Sequence, residues 1–245
     1  MAAFTTAVVI GASVGIGAEM VRQLAASGVR VAAVSRRMPE MEVLQAACGG
    51  PDKVRVYAHD VKNFDEAPLL FDRIAADLGS VDCLIYNAGV MPRVEESEYN
   101  FAKDREMIEV NLLGAMAWLN PAAAYMEARR SGTLVGISSV AGDRGRRGNP
   151  AYHTSKAALT TYLESLRNRL DRYGVKVVTV KPGPVATAMT EGLKLPLTIQ
   201  ADEAARGALS LASGGAGEGY VPAIWQPIML TIRHVPSVIF RRTNI

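Results

Sequence analysis

Two side chains suited to proton transfer, Tyr152 and Lys156, are four residues apart in a stretch that predicts a helix. At that spacing both project from one helix face. A phenol with a pKa of ~10 is a weak acid at neutral pH, but a nearby ammonium stabilises the phenolate and lowers that pKa. Tyr152 could then exchange a proton with a carbonyl oxygen, while Ser139 donates it a second hydrogen bond. Alone, this spacing is common in exposed helices, so other evidence must decide.

A glycine-rich segment between the first predicted strand and the first predicted helix is the second chemical feature. Gly11 allows a tight exit from the strand, Gly15 leaves room for a pyrophosphate, and Gly17 lets the helix approach the sheet. Free N–H groups and the positive end of the helix dipole would face the phosphates. We expect the cofactor to contact residues throughout this segment: Gly11, Ser13, Val14, Gly15, Ile16 and Gly17. A glycine turn without a ligand is the alternative.

The second predicted strand ends at Ser35, Arg36 and Arg37. An acidic residue at this place would accept hydrogen bonds from the adenosine ribose. Arginines instead provide donors and positive charge, which suit a 2′-phosphate. The pattern therefore favours NADP(H), with NAD(H) as the alternative cofactor. The arginines could also form a solvated basic turn that binds no cofactor.

Alternating short apolar runs and longer amphipathic stretches predict one doubly wound α/β domain over residues 1–245, of Rossmann type, with a parallel sheet of about seven strands. The predicted strands are Thr6–Ile10, Val29–Val34, Val54–Ala58, Val81–Tyr86, Thr133–Ser138, Val175–Lys181 and Tyr220–Val221. The predicted helices are Ile16–Ser27, Pro68–Leu78, Tyr99–Arg129 with a break near Pro121, Tyr152–Tyr173 and Asp202–Ala212. Gly28 and Gly174 mark helix ends.

Composition excludes several classes of protein. A net charge of +3, without a basic stripe, argues against nucleic-acid binding. Cys48 and Cys83 support neither a disulfide framework nor a metal site. The first apolar run breaks at Gly11 and no basic residue precedes Arg22, so we expect no secretory signal and a cytoplasmic protein.

Together, the glycine loop, Ser139 and the Tyr152–Lys156 pair resemble the single-domain short-chain dehydrogenase/reductase family, over roughly residues 5–220. The resemblance implies that Tyr152 is the general acid/base and that Lys156 also binds the nicotinamide ribose. It further implies that Ser139 orients the substrate and that Asn111 supports a lysine–water proton relay. Subunit association as a homodimer or homotetramer is also implied.

Three further stretches match the family and imply cofactor contacts. They are Asn87, Ala88 and Gly89 after the fourth strand, Asp60 and Val61 near the adenine, and Pro182, Gly183, Val185 and Thr187 along the nicotinamide. Three positions depart from the family pattern. Ile10 replaces a frequent threonine, Tyr86 a common asparagine, and Val14 a residue that is basic in many NADP-binding members.

Two segments have open interpretations. The charged, glycine-rich loop 142–150 is predicted to be mobile and solvated; alternatively its arginines border the substrate mouth and favour an anionic substrate. The apolar C-terminal stretch, residues 222–245, is too interrupted to span a bilayer. We expect it to pack over the substrate pocket or against a partner subunit, with contact to a membrane surface or to a lipophilic substrate as the alternative.

These features predict an NADP(H)-dependent oxidoreductase that acts on a small-molecule carbonyl or secondary alcohol, without a metal. An NAD-linked alcohol dehydrogenase of the same fold is the first alternative. A nucleotide-sensing regulator with little turnover is the second.

Overall fold

The computed structural model describes residues 4–193 and 195–243. Its centre is a seven-stranded sheet in the order β3-β2-β1-β4-β5-β6-β7, in which every neighbouring pair is parallel. The strands are β1 (Thr6–Ile10), β2 (Arg30–Ser35), β3 (Val54–Ala58), β4 (Cys83–Tyr86), β5 (Gly132–Ile137), β6 (Val175–Pro182) and β7 (Glu218–Val221). All seven predicted strands are therefore confirmed, with ends shifted by no more than two residues.

Helices cover both faces of the sheet. They are α1 (Gly15–Ala26), α2 (Met38–Ala47), α3 (Ala67–Leu78), α4 (Phe101–Ile108), α5 (Gly114–Arg129), α6 (Pro150–Leu170), α7 (Ala201–Gly214), α8 (Trp225–His234) and α9 (Ser237–Phe240). One apolar core, including Phe71, Trp118 and Leu163, joins α3, α5 and α6 to the sheet. A second, including Met20 and Met41, joins α1, α2 and α7 to the opposite face.

Two helix predictions need correction. Helix α2 was not predicted because only Met41 and Leu44 are buried, which leaves little apolar periodicity. The predicted break near Pro121 is wrong, because α5 runs through that proline. Packing of the residues around Pro121 outweighs its missing hydrogen bond. The irregularity lies earlier instead, in a π-helical turn at Glu109–Leu113.

The strand order places a crevice at the carboxyl ends of β1 and β4, where the chain changes its winding direction. Ligands of open parallel sheets bind at such a point. The loops after β5, β6 and β7 open at the same edge. Within the described residues, no helix is both long and apolar enough to cross a membrane.

Candidate active site

Helix α6 holds Tyr152 in its first turn. Asn149 caps this helix by accepting a hydrogen bond from the Tyr152 amide, at 3.4 Å, and its own side chain donates to the carbonyl of Pro92, at 3.0 Å. The start of α6 is thereby attached to the loop that follows β4. The phenol lies at the positive end of the helix dipole, which favours an anion.

Lys156 lies one turn further along α6, on the same side as Tyr152. Its Nζ is 5.8 Å from the centre of the Tyr152 ring and donates to the carbonyl of Ile137, at 2.9 Å. Only 4% of Lys156 is exposed, whereas Tyr152 is half-buried. The expected convergence of these two side chains is therefore confirmed.

The pKa values of the pair differ from the expectation. Burial raises the pKa of Tyr152 above its ordinary value, and a hydrogen bond with Ser139 opposes this only in part. Burial lowers the pKa of Lys156 to about 8. The expected lowering of the phenol pKa is wrong for the protein alone, because burial disfavours the phenolate more than its neighbours favour it.

Ser139 follows β5 at the carboxyl edge of the sheet. Its hydroxyl accepts from the Ala141 amide, at 3.0 Å, and caps a short 3-10 turn, Val140–Gly142. The preceding Ser138 hydroxyl donates to the Lys156 carbonyl, at 3.0 Å. The turn that carries Ser139 is thus bound directly to the helix that carries Tyr152.

Asn111 lies in the π-helical turn and is fully buried. Its amide group exchanges two hydrogen bonds with the backbone of Val90, at 2.7 and 3.0 Å, and donates to the Ser155 hydroxyl, at 3.0 Å. A Cβ placed on Gly89 would lie 3.4 Å from Asn111 Oδ1 and 3.6 Å from Lys156 Nζ. Asn111 therefore joins the loop after β4 to α6, close to the lysine.

Tyr86, one of the departures from the family pattern, supports this arrangement. Its buried hydroxyl donates to the Val110 carbonyl, at 2.6 Å, inside the π-helical turn. Such turns lack some regular helical bonds and occur often at functional sites. Sequence reasoning missed this role, because a tyrosine in a buried strand carries no sign of a distant acceptor.

The glycine loop packs closely against the loop after β4. The side chain of Asn87 donates to the Gly11 carbonyl, at 2.9 Å. A Cβ on Gly17 would lie only 2.1 Å from that carbonyl oxygen, and one on Gly11 would lie 2.6 Å from the backbone of Ala88. The predicted close approach at Gly17 is therefore present, and it brings the two loops together.

Gly15 begins α1 and faces the loop after β6. It has a φ of +58°, and a Cβ there would lie 3.2 Å from Cγ2 of Thr187. Thr187 itself is held by a reciprocal capping box with Thr190. The N-cap of α1 is Val14, whose side chain cannot accept hydrogen bonds from the first turn. The first turn of α1 thus lies close to Thr187 at Gly15, and no N-cap side chain binds its amides.

The end of β2 presents the predicted basic residues at the surface. The Ser35 hydroxyl donates to Ser13, at 3.0 Å, and accepts from the Arg37 amide, at 3.3 Å. Arg36 forms a loose ion pair with Asp60, at 3.4 Å, and both arginines are exposed. Burial opposes ionisation of Asp60, but the Lys62 amide and Arg36 together hold the pKa of its carboxyl below its usual value.

The remaining predicted cofactor residues lie around the same edge. Ile16 is half-buried, Val61 is buried, Pro182 ends β6, and Val185 pairs with Ile199 at the base of a loop. Gly183 lies against the indole of Trp225, because a Cβ there would come within 2.0 Å of the indole nitrogen. Helix α8 therefore packs on the segment predicted to follow the nicotinamide.

The arginine loop 142–150 is docked rather than solvated. Arg144 donates to the carbonyls of Ile232, Arg233 and Val235 at the end of α8, at 2.6–3.1 Å. Its guanidinium also lies 4.0 Å from the centre of the Phe240 ring. Arg146 contacts Met229, and Arg147 donates to the Arg241 carbonyl. The prediction of a solvated loop is therefore wrong for Arg144 and Arg146, which are half-buried, whereas Arg147 is exposed as expected. Arg144 is engaged by backbone rather than left open to a substrate anion.

Comparison with known proteins agrees with this geometry. The short chain dehydrogenase family model matches residues 5–196. An oxidoreductase from Myxococcus xanthus is 37% identical over 79% of this chain and 77% of its own length. A cis-4-hydroxycyclohexanecarboxylate dehydrogenase from Sinomonas cyclohexanicum is 33% identical over 82% of this chain and 80% of its own.

A solved structure of a short chain dehydrogenase/reductase family protein superposes with a TM-score of 0.80. It is 31% identical, and the match covers 90% of this chain and 97% of the other. The relatives of this chain thus resemble it in both sequence and fold. This chain has the parallel sheet, the glycine loop and the cluster of Ser139, Tyr152 and Lys156. The protein is an oxidoreductase that belongs to the short-chain dehydrogenase/reductase family.

Proposed function

We propose that this protein is an NADP(H)-dependent carbonyl reductase, which moves a hydride between the cofactor and a carbonyl or secondary-alcohol carbon. The observation that carries the proposal is the convergence of Tyr152, Lys156 and Ser139 at the carboxyl edge of the sheet, next to the glycine loop. A phenol, a hydroxyl and a buried ammonium in one crevice suit proton transfer to an oxygen.

The crevice beside the glycine loop fits a dinucleotide. At Gly15, a side chain larger than hydrogen would fill the gap to Thr187. The first-turn amides of α1 and the positive end of its dipole offer donors to a pyrophosphate. Lys156 and Thr187 would hold the nicotinamide end. When bound in reduced form, the cofactor supplies the hydride.

Arg36 and Arg37 support the preference for NADP(H). Both are exposed at the end of β2, and the ion pair of Arg36 with Asp60 is long and half exposed, so it can be exchanged at little cost. A 2′-phosphate would gain charge-assisted hydrogen bonds from these side chains. NAD(H) remains the alternative, since Asp60 offers a competing negative charge.

In the reducing direction, the hydroxyls of Ser139 and Tyr152 hold the carbonyl oxygen of the substrate. As negative charge develops on that oxygen, Tyr152 gives up its phenolic proton to it. The ammonium of Lys156 then stabilises the phenolate left behind, as does the dipole of α6. Asn111 holds the loop after β4 in a fixed position relative to α6. Oxidation of an alcohol uses the same groups in reverse.

A dehydrogenase among the relatives supports the choice of substrate class. The compound in its name, cis-4-hydroxycyclohexanecarboxylate, carries a secondary alcohol. For this chain we propose only the same reacting group, a secondary alcohol or the corresponding ketone. Association as a homodimer or homotetramer remains a prediction.

Oxidation of NADPH, followed by absorbance against ketones, aldehydes, quinones and 3-oxoacyl thioesters, tests the proposal. Tyr152→Phe should lower kcat by about a thousandfold, whereas Tyr99→Phe, at a fully exposed tyrosine, should leave it unchanged. Arg36→Ser combined with Arg37→Ser should raise KM for NADPH at least about tenfold and leave KM for NADH alone. Binding of NADPH without turnover that depends on Tyr152 would instead indicate a nucleotide-sensing regulator.

A further inference from the structure

We propose that the tail segment, residues 222–243, docks this protein on the surface of an anionic lipid bilayer. The segment follows β7 and lies beyond residue 196, where the family match ends. The proposal concerns location and does not depend on the reaction at Tyr152.

Exposed apolar side chains are concentrated in two neighbouring parts of the chain. Fourteen large apolar residues are exposed among the described residues, and eight of them lie between positions 189 and 239. Four belong to the tail segment and four to the loop after β6: Ile224, Leu230, Val238 and Ile239, and Met189, Leu193, Leu195 and Leu197. Isolated exposed apolar residues are ordinary, but such a concentration marks an interaction surface.

The two segments that carry these groups start at the same edge of the sheet. Strands β6 and β7 are parallel neighbours, so their carboxyl ends lie at one edge of the sheet. The loop with the exposed leucines follows β6, and the tail segment follows β7. The loop is closed at its base, where the Ala186 amide donates to the Ile199 carbonyl at 2.9 Å. Both segments therefore begin at the edge that holds the candidate active site.

Charge on the tail segment is of one sign. No aspartate or glutamate follows Glu218, whereas Arg233, Arg241 and Arg242 are all exposed. Glu218 itself is bound to Lys181, at 2.7 Å. The arginine loop 142–150 is attached beside the tail and adds further positive charge. Apolar side chains with adjoining arginines match the interface of a bilayer that contains anionic lipids.

The exposed face is held in a defined orientation. Trp225 and Met229 anchor the inner side of α8 against Val140, and Arg144 binds the carbonyls at the end of that helix. The outer side, with Leu230, therefore remains turned to solvent. Because the helix is already formed, docking would require little additional ordering.

A second copy of this chain fits the same surface less well. A twofold interface brings one patch against itself. Here it would place the tail arginines near their own counterparts, and the single acidic residue of the two exposed groups, Glu191, could pair with only one of the three arginines. An anionic bilayer supplies the missing negative charge, so charge complementarity favours lipid.

Sedimentation with vesicles tests the proposal on the full-length protein. One set contains phosphatidylcholine alone, and the other replaces about a third of it with phosphatidylglycerol. We expect binding to the anionic set, with release by about 0.5 M NaCl. Arg241→Gln combined with Arg242→Gln should weaken binding roughly 25-fold. Val238→Asp combined with Ile239→Asp should weaken it at least about tenfold.

Val43→Asp combined with Leu69→Asp is the control, because these apolar residues, on α2 and α3, are at least as exposed as Val238 and Ile239. It should bind vesicles like the parent protein. Equal binding by the parent and both tail variants would overturn the proposal, as would no binding to anionic vesicles at low salt. Molar mass from light scattering adds a further check. If the tail variants change subunit number while vesicle binding persists, the surface is a subunit interface instead.

Discussion

The two halves of the crevice are built by different means. On the nucleotide side, backbone meets backbone: the glycine loop touches the loop after β4 so closely that Gly17 has no room for a methyl group. On the substrate side, long side chains join distant segments. Arg144 binds backbone carbonyls about ninety residues away, and Lys181 connects the arginine loop to β7. The nucleotide side depends on glycines, whose missing side chains permit close backbone contact. The substrate side depends on long side chains that bond to distant segments.

This difference indicates which half can vary between relatives. Few substitutions are compatible with the glycine loop, because steric overlap excludes nearly every side chain. The substrate side tolerates many sequences, provided that some side chains hold the tail and the arginine loop. Tyr152 and Lys156, to which we assign the proton transfer, lie between the two halves, on α6.

The largest expected effect comes from breaking the buried ion pair on the substrate side. Lys181 and Asp143 are 2% and 3% exposed and lie 2.7 Å apart, and Tyr220 donates to the same carboxylate. Lys181→Met would leave a buried carboxylate without its cation, so unfolding should become easier by about 3–5 kcal/mol. Urea denaturation measures this. Lys176→Met, at an exposed lysine on the same strand, should change little, and an equal loss for both would refute the argument.

A methyl group in the nucleotide half should have the next largest effect. In Gly17→Ala the new carbon would lie 2.1 Å from the Gly11 carbonyl oxygen. We expect a loss of about 3 kcal/mol in the free energy of unfolding, together with weaker NADPH binding. The matched control is Gly214→Ala, where no atom lies within 4 Å. It should be neutral or slightly stabilising. Equal free energies of unfolding for the two variants would show that the close packing at Gly17 does not contribute to stability.

Removing the cap of α8 should have a smaller, local effect. Arg144→Met loses the hydrogen bonds to the end of that helix and the contact with Phe240. Amides of residues 225–234 should exchange faster, by an amount equivalent to about 1–2 kcal/mol, while the sheet is unaffected. Arg233→Met, at an exposed arginine on α8, serves as the control. Unchanged exchange in the Arg144 variant would show that the tail is held without it.

The smallest effect concerns Lys156 and has a definite pH dependence. Its pKa of about 8 lies below the ordinary 10.5, so between these values the unfolded chain binds more protons than the folded one. Stability of the parent protein should therefore rise with pH across this window. Lys156→Met lacks that rise. Removing the depressed pKa alone would add about 3 kcal/mol at pH 7, but the buried Ile137 carbonyl loses its donor at a cost of about 2 kcal/mol. The variant should therefore be more stable than the parent by about 1 kcal/mol, although inactive. Urea titrations at pH 7 and pH 10 would contradict this if the difference between the two proteins stayed constant.

The sheet and the placement of Tyr152 and Lys156 on one helix face could be predicted from local patterns. Buried strands are apolar throughout, and Tyr152 and Lys156 have the spacing of one helical turn. The close approach at Gly17 was also predictable, because a glycine at the start of a helix after a strand lets that helix approach the sheet. In each case the signal lies within a few residues of the chain.

The features that could not be predicted from the sequence are contacts between residues that are distant along the chain. The hydrogen bond from Tyr86 to Val110 and those from Arg144 to the carbonyls at the end of α8 join residues far apart in sequence. The arginine loop looked solvated because charged residues usually are, and its acceptors are backbone carbonyls that no pattern marks. Burial around Tyr152, which raises its pKa, likewise arises only once the loops have come together.

Single-turnover hydride transfer tests the central claim, that Tyr152 handles the proton within a dinucleotide crevice. NADPH bound to the enzyme is mixed with a ketone that the parent protein reduces, and NADPH affinity is measured separately by fluorescence. For Tyr152→Phe, we predict an affinity within about threefold of the parent and a transfer rate lower by about a thousandfold. A rate equal to that of the parent, or a loss confined to NADPH affinity, would contradict the account.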